Sequence, residues 1–412
     1  MANTTKNVSE ELFATLCSQF YLKGFVFHSP KYYDPTEEEL GDVVLWIRYY
    51  LIVFEIVWRS VDSPGGTKQF IKRIGEKRDQ LVQDYRAFGS DKLVVTITSE
   101  VGDEIRFDSQ YFDRKGFCGV ILVDSDVPLD KLHFGTLQKT LEQEFPIAIL
   151  TKQDFLDILS EVDTIADLQY YLRDRTNFLR EVLQENASMF LDLNQRTERE
   201  LIAFYKMHNN SFPPDKWREH SNKRFWQLYL LSHVRQRGLR DVENDYSQIL
   251  DEIIDLLRNS NKPNDSTILH SWELAVLPRR ARASLTGKIE SAFNEMVNGR
   301  KTRHFAFLNP ITQCWNIFYF QYGGSNEEFR SAADQLAKMK MKVERIETNF
   351  QYSVFCFAFR KSQILTTNTF DNVVLLIEDA GNYQEVSAEA YNTAKQYFAG
   401  KTSIVRIQEF PQ

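Results

Sequence analysis

The chain has 412 residues, of which 43% are apolar, 26% charged and 13% aromatic. That is ordinary globular composition, which excludes disorder. The length passes the roughly 250–300 residues at which a single core stops growing, so two or three domains are expected. A formal net charge of −7 excludes a whole-protein field that attracts nucleic acid, so any phosphate binding requires a local basic surface.

In chain order, residues 1–165 predict a first α/β domain. Its N-terminus, Met1 to Asn7, lacks the apolar stretch of a signal peptide. Leu12, Leu16 and Phe20 at fourfold spacing predict a helix over 9–20, followed by a short strand at 24–28 and a turn at 30–35. The longest apolar run, Val43–Trp58, is broken by Arg48 and Glu55. It predicts two adjacent strands, 43–47 and 51–57, rather than a membrane span, which needs about 20 largely uncharged residues. The turn signal Asp62-Ser63-Pro64-Gly65-Gly66 precedes a helix over 67–87 that carries Phe70, Ile74, Leu81 and Tyr85 on one side. Strands follow at 93–98, 105–107, 117–123 and 147–150, and Thr151 with Asp154 predicts a capped helix start.

Residues 166–300 predict a helical domain. Thr164 with Asp167 opens a helix in which Leu168, Tyr171, Leu172, Arg175, Leu179 and Val182 follow amphipathic spacing. Pro213-Pro214 punctuates the segment, 249–257 predicts a further helix, and 259–266 a loop. Residues 301–412 predict a small C-terminal α+β domain, with strands at 304–308, 315–322, 352–359 and 373–377 and helices at 327–341 and 387–398. The fold class is therefore mixed α+β. Cys17, Cys118, Cys314 and Cys356 have no Cys-x-x-Cys spacing, which suits reduced thiols and a soluble, cytoplasmic protein without membrane partners.

The chemistry-bearing stretch is Glu37-Glu38-Glu39-Leu40-Gly41-Asp42, then an apolar strand, then Phe54-Glu55-Ile56-Val57-Trp58-Arg59. In an antiparallel hairpin of these lengths Asp42 and Glu55 approach one another across the pair. Two close carboxylates in an apolar setting repel, and a hard divalent cation resolves that repulsion. Mg²⁺ takes one or two carboxylates, keeps several waters and binds phosphate oxygens.

This arrangement resembles the restriction-endonuclease-like, PD-(D/E)XK nuclease family, in which an Asp opens one strand and an acid-x-Lys triplet lies in the next. The resemblance implies a restriction-endonuclease-like sheet flanked by helices. It makes Asp42 and Glu55 metal ligands for Mg²⁺ or Mn²⁺, Ile56 a backbone carbonyl ligand and Glu39 an assisting acid. The family's Lys falls on Val57, which can neither position a water nor stabilise charge. Arg59 on the same strand face, or Lys68 or Lys72 on the following helix, is expected to supply the missing cation. A second stretch, Thr151–Leu159 with Asp163–Leu172 and Arg175, resembles a segment that follows nuclease-like domains in bacterial proteins. The two matches span about residues 36–175. They imply a nucleic-acid-binding protein that hydrolyses phosphodiesters in DNA or RNA, in the setting of bacterial defence against phage.

Blander readings stand beside these. Asp42 and Glu55 also read as strand-end charges, one solvated and one paired with Arg48 or Arg59. Lys68, Lys72, Arg73, Lys77 and Arg78 read as the solvated face of a helix, and Arg279, Arg280, Arg282, Lys288, Arg300, Lys301 and Arg303 as a solubilising surface or a grip on an acidic partner. Trp217, Trp226 and Tyr229 read as helical core. The sequence carries no P-loop, His-Glu-x-x-His pair, Gly-x-Ser-x-Gly elbow or Rossmann fingerprint. The alternative is a pseudo-nuclease that retains the fold and acts as a regulatory scaffold for a protein or nucleic-acid partner or as a homo-oligomer.

Overall fold

A computed structural model describes residues 11–17, 25–33, 37–48, 50–59, 66–88, 94–98, 104–108, 114–125, 134–162, 164–185, 197–220, 224–232, 247–258, 265–299, 301–348, 353–361, 372–379, 392, 395 and 402–403. The chain is mixed α+β and divides into two compact units, the first built on Met1–Arg240 and the second on Asp241–Gln408. The helices of 166–300, expected as one segment, are shared between them. Those up to Ser232 belong to the first unit and those from 247 onward to the second. The physical reason is that each group buries its apolar faces against its own sheet or its neighbouring helices.

The first unit begins with helix α1 (11–17), then strands β1 (Val26–His28), β2 (Lys31–Tyr33), β3 (Glu37–Glu39), β4 (Val43–Ile47) and β5 (Tyr50–Arg59). Helix α2 (Gly66–Ala87) follows, then β6 (Val94–Thr98), β7 (Glu104–Asp108), β8 (Phe117–Ser125), α3 (Phe134–Leu141), β9 (Ile147–Thr151), α4 (Lys152–Leu159) and α5 (Ile165–Glu185). Among the described residues the main sheet runs β1-β4-β5-β8-β9, antiparallel through β5 and parallel from β5 to β9. A second antiparallel sheet runs β3-β2-β6-β7.

Strand β5 explains the layering. It is central, so both its faces are covered, and Leu51 to Val57 are all buried. On one face Phe54 meets the rings of Phe13 of α1 at 5.0 Å and Phe155 of α4 at 5.4 Å. The other face carries Val53, Glu55 and Val57 and lies under α2, which packs on β5 and β8. Gly119 of β8 lets α2 come close, because a Cβ there would lie 2.9 Å from Leu81 Cδ1. Thr151 and Asp154 form the expected reciprocal cap at the start of α4. Thr164 Oγ1 likewise accepts the Asp167 N–H at 3.1 Å at the start of α5.

Helices α6 (Glu198–Met207), α7 (Pro214–His220) and α8 (Phe225–Ser232) complete the described part of this unit. Phe178, Phe204, Phe212, Trp217 and Phe225 form one ring cluster among α5, α6, α7 and α8. Trp217 and Tyr229 are fully buried, and the Tyr229 hydroxyl donates to Glu161 at 2.9 Å, so they are core, as expected. Arg175 forks onto Glu198 at 2.7 and 2.9 Å, with the Tyr171 hydroxyl donating to the same carboxylate. Arg175, part of the second resemblance, thus ties α5 to α6.

The second unit contains α9 (247–258), α10 (Asp265–Ala275), α11 (Arg279–Val297), β10 (Thr302–Leu308), β11 (Trp315–Tyr322), α12 (Asn326–Thr348), β12 (Val354–Lys361), β13 (Asn372–Glu378) and β14 (Thr402–Ser403). Its sheet order is β13-β12-β11-β10-β14, with α12 making the parallel crossover from β11 to β12. Ile317, Tyr319, Cys356 and Ala358 pack against Phe329, Ala333, Leu336 and Ala337 of α12. The opposite face stacks Phe305, Phe318, Phe320, Phe357 and Phe359, and α11 packs on β10 and β11. The expected helix at 387–398 lies outside the described residues apart from helical positions 392 and 395.

Candidate functional site

The hairpin β4–β5 brings the two predicted acids together. Arg48, at φ 50, lies in the tight turn between Ile47 and Tyr50, and the register pairs Val43 with Phe54. Just beyond that pair Asp42 and Glu55 come together on Lys77. At the entrance to β4 Gly41 adopts φ +63, and the Asp42 N–H bonds the Phe54 carbonyl at 2.8 Å. Any Cβ at Gly41 would stand 2.5 Å from Val53 Cγ1 and 3.1 Å from the Phe54 oxygen, so glycine is needed there for space as well as for φ. The Asp42 carboxylate then accepts the Ile56 N–H at 2.6 Å through Oδ2.

Both acids are buried, Asp42 at 4% and Glu55 at 2% exposure. Their charge is met by Lys77 of α2, whose ammonium donates to Asp42 Oδ2 at 3.2 Å and to Glu55 Oε2 in a close ion pair. Burial, and then the Asp42 charge, push the Glu55 carboxyl up to about 8, against the pull of Lys77. Burial works to lower Lys77, but Glu55 and Asp42 outweigh it and its pKa is raised. The ammonium is thus held charged between the two carboxylates.

A third buried acid, Asp84, lies further along α2. Asp84 is fully buried and is pushed up to about 7, first by burial and then by the charge of Glu38, against a hydrogen bond from Gln80 at 3.2 Å. The Tyr32 hydroxyl, near Asp84, donates to Glu38 at 3.0 Å.

The assisting residues expected from sequence are placed differently. Glu39 is exposed on β3, opposite Lys31, while its neighbour Glu38 is the one whose charge reaches Asp84. Successive strand residues face opposite ways, which separates the two. Lys72 does not converge on the acids: its side chain is 76% exposed and pairs with Glu76 at 3.0 Å. The side chains of Arg59 and Lys68 lie outside the described residues. Val57 is buried under α2, as its strand position requires. Among the described residues, Lys77 is a cation that meets the acids, and sequence reasoning assigned it to a solvated face. The signal that could have found it is its spacing: Phe70, Ile74, Lys77, Leu81, Asp84 and Phe88 recur at three and four residues, so Lys77 sits in the buried stripe of α2.

Part of the predicted basic surface of the second unit is spent on internal pairs. Arg279 and Arg282 bond Asp251 at 3.3 and 2.8 Å, Arg282 also donates to the Ala275 and Leu277 carbonyls, and Arg303 pairs with Glu295 at 3.3 Å.

Among the described residues no group of three or more His, Cys, Asp or Glu is placed to hold a metal ion. The donors at the candidate site are two carboxylates, and two suffice for Mg²⁺ or Mn²⁺ when waters complete the shell. The ammonium between them is itself a cation bridging hard oxygen donors, so the residues fit such an ion. No family model, no curated protein and no solved structure matches this chain.

Proposed function

We propose that the first unit is a restriction-endonuclease-like nuclease domain that hydrolyses phosphodiester bonds in DNA or RNA with Mg²⁺ or Mn²⁺. The observation that carries the reading is the Asp42–Lys77–Glu55 bridge: two buried acids from adjacent strands, joined by a lysine from the next helix. A lysine on α2 takes over the position that Val57 leaves without charge.

In this reading Asp42 and Glu55 hold the divalent ion, with the Ile56 carbonyl as a further ligand. The ion, when bound, polarises the phosphate and acidifies a coordinated water. The Ile56 N–H fixes the Asp42 carboxylate against the end of β4. Lys77 brings its ammonium to the acids, where it orients the attacking water and stabilises charge on the phosphoryl oxygens. The nucleic-acid part of the reading rests on the resemblance of the Asp42–Val57 pattern to the nuclease family.

The test is degradation of plasmid, single-stranded DNA and RNA by purified protein with Mg²⁺, Mn²⁺ or EDTA, alongside Asp42→Asn, Glu55→Gln and Lys77→Met. Cleavage by the wild type with metal, and a loss of at least about 10²-fold in each variant, is expected. Identical behaviour of all four proteins on every substrate sinks the reading. It would leave the bridge as an internal ion pair of a scaffold protein.

A further inference from the structure

This inference rests on the reading above and concerns how the acidic pair receives its ion. Asp42 and Glu55 are almost completely buried, so ionising both puts two negative charges together in a setting that penalises even one. What makes that arrangement tolerable is the Lys77 ammonium, which contacts one oxygen of each carboxylate. Asp42 Oδ2 is engaged by Lys77 and by the Ile56 N–H at 2.6 Å. A small divalent ion needs inner-sphere oxygens at roughly 2.0–2.1 Å. An ammonium on the same oxygens would then stand within a few ångströms of a doubly charged ion, an arrangement that Coulomb repulsion disfavours.

We propose that Lys77 is the resident counter-ion of the acidic pair, and that a divalent cation loads by displacing its ammonium group from between Asp42 and Glu55. The exposure pattern supplies the route. The Lys77 side chain is 27% exposed, against 5% for Asp42 and 2% for Glu55, so the lysine reaches solvent where the two acids do not. A flexible four-carbon stem lets the head group leave without moving α2. One residue therefore has two positions: between the acids without metal, and beside the site with it, where it faces incoming phosphate. The cost is that the ion competes with an internal cation, so the wild-type protein binds metal more weakly than its two carboxylates alone would allow.

The test uses the full chain and Mn²⁺ alone, with free Mn²⁺ followed by electron paramagnetic resonance. Lys77→Met is expected to bind Mn²⁺ roughly tenfold or more tightly than wild type, about 1.4 kcal/mol, although it loses cleavage. Glu55→Gln should abolish the binding. A second measurement keeps the inference testable if Lys77→Met does not fold: amine acetylation of the wild type, read by mass spectrometry. Saturating Mn²⁺ should raise labelling of Lys77 and leave the exposed Lys72 unchanged. Equal or weaker Mn²⁺ binding by folded Lys77→Met, or Lys77 labelling that does not rise at saturation, overturns the counter-ion role while the metal reading stands. Absence of Mn²⁺ binding by both wild type and folded Lys77→Met overturns the metal reading and the inference with it.

Discussion

A single side chain decides how the acidic corner is read. Counting charges along α2 makes Lys77 one more member of a solvated basic run; counting by helical period puts it in the apolar stripe between Ile74 and Leu81. Asp84, two turns on, belongs to the same stripe, and there burial has a consequence for pH. Its carboxyl is pushed up to about 7 from an ordinary value near 3.8, chiefly by burial. A folded-state value above the unfolded one means that the folded protein holds the proton longer. The associated stability is therefore complete below about pH 4 and is lost as pH rises through about 7. Glu55, raised to about 8, acts in the same direction. Asp84→Asn removes one of these titrations. Its denaturation midpoint should match wild type near pH 4 and exceed it at pH 8, by about 1–3 kcal/mol. Equal stability differences at both pH values would show that Asp84 ionises without penalty.

At the scale of elements, the hairpin that holds the acids was legible because both its ends are marked. Arg48-Tyr49 breaks the apolar run, and strands of that length pair Val43 with Phe54 and bring residues 42 and 55 close enough to share Lys77. The capped starts of α4 and α5 were legible for a similar reason, since a Thr with an Asp three residues on satisfies the free N–H groups locally. Which acid of the Glu37–Glu39 run meets Tyr32 was not legible. Glu37-Glu38-Glu39 carries three identical side chains, and only the pairing of β3 with β2 decides which of them meets Tyr32. Gly41 gives the hairpin its entry. Gly41→Ala forces a side chain into φ +63 and against Val53 and the Phe54 carbonyl. It should cost about 1–3 kcal/mol and lower Mn²⁺ affinity by displacing Asp42, both measurable on one preparation by urea titration and metal binding. A destabilised protein with unchanged Mn²⁺ affinity would separate the entry turn from the site.

At the scale of the molecule, helical periodicity shows which side of a helix is apolar but not which sheet will cover it. That is why residues 166–300 read as one helical body while the folded chain divides near 240. What assigns α5 to the first unit is contact at long sequence range: its packing on β5 and β9, and the Tyr170 hydroxyl hydrogen-bonded to that of Tyr50 at 2.8 Å. What assigns α10 to the second is Glu273, whose carboxylate accepts Asn309, Thr312 and Asn316 at 2.8, 2.6 and 2.8 Å, and His270, whose ring meets Phe355 and Phe357. Each unit therefore owns its core, and damage to one should stay there. Phe318 is fully buried in the ring stack of the second sheet, 4.9 Å from Phe357 and 5.1 Å from Phe305. Phe318→Ala leaves a void that neighbouring rings fill only in part and should cost about 3–5 kcal/mol. In calorimetry the second unit's transition should move down in temperature, while Mn²⁺ binding by Asp42 and Glu55 at 25 °C stays within about twofold of wild type. If Phe318→Ala instead abolishes Mn²⁺ binding in a protein whose first transition is unchanged, the acidic site depends on the second unit, and the division of labour between the two cores is lost.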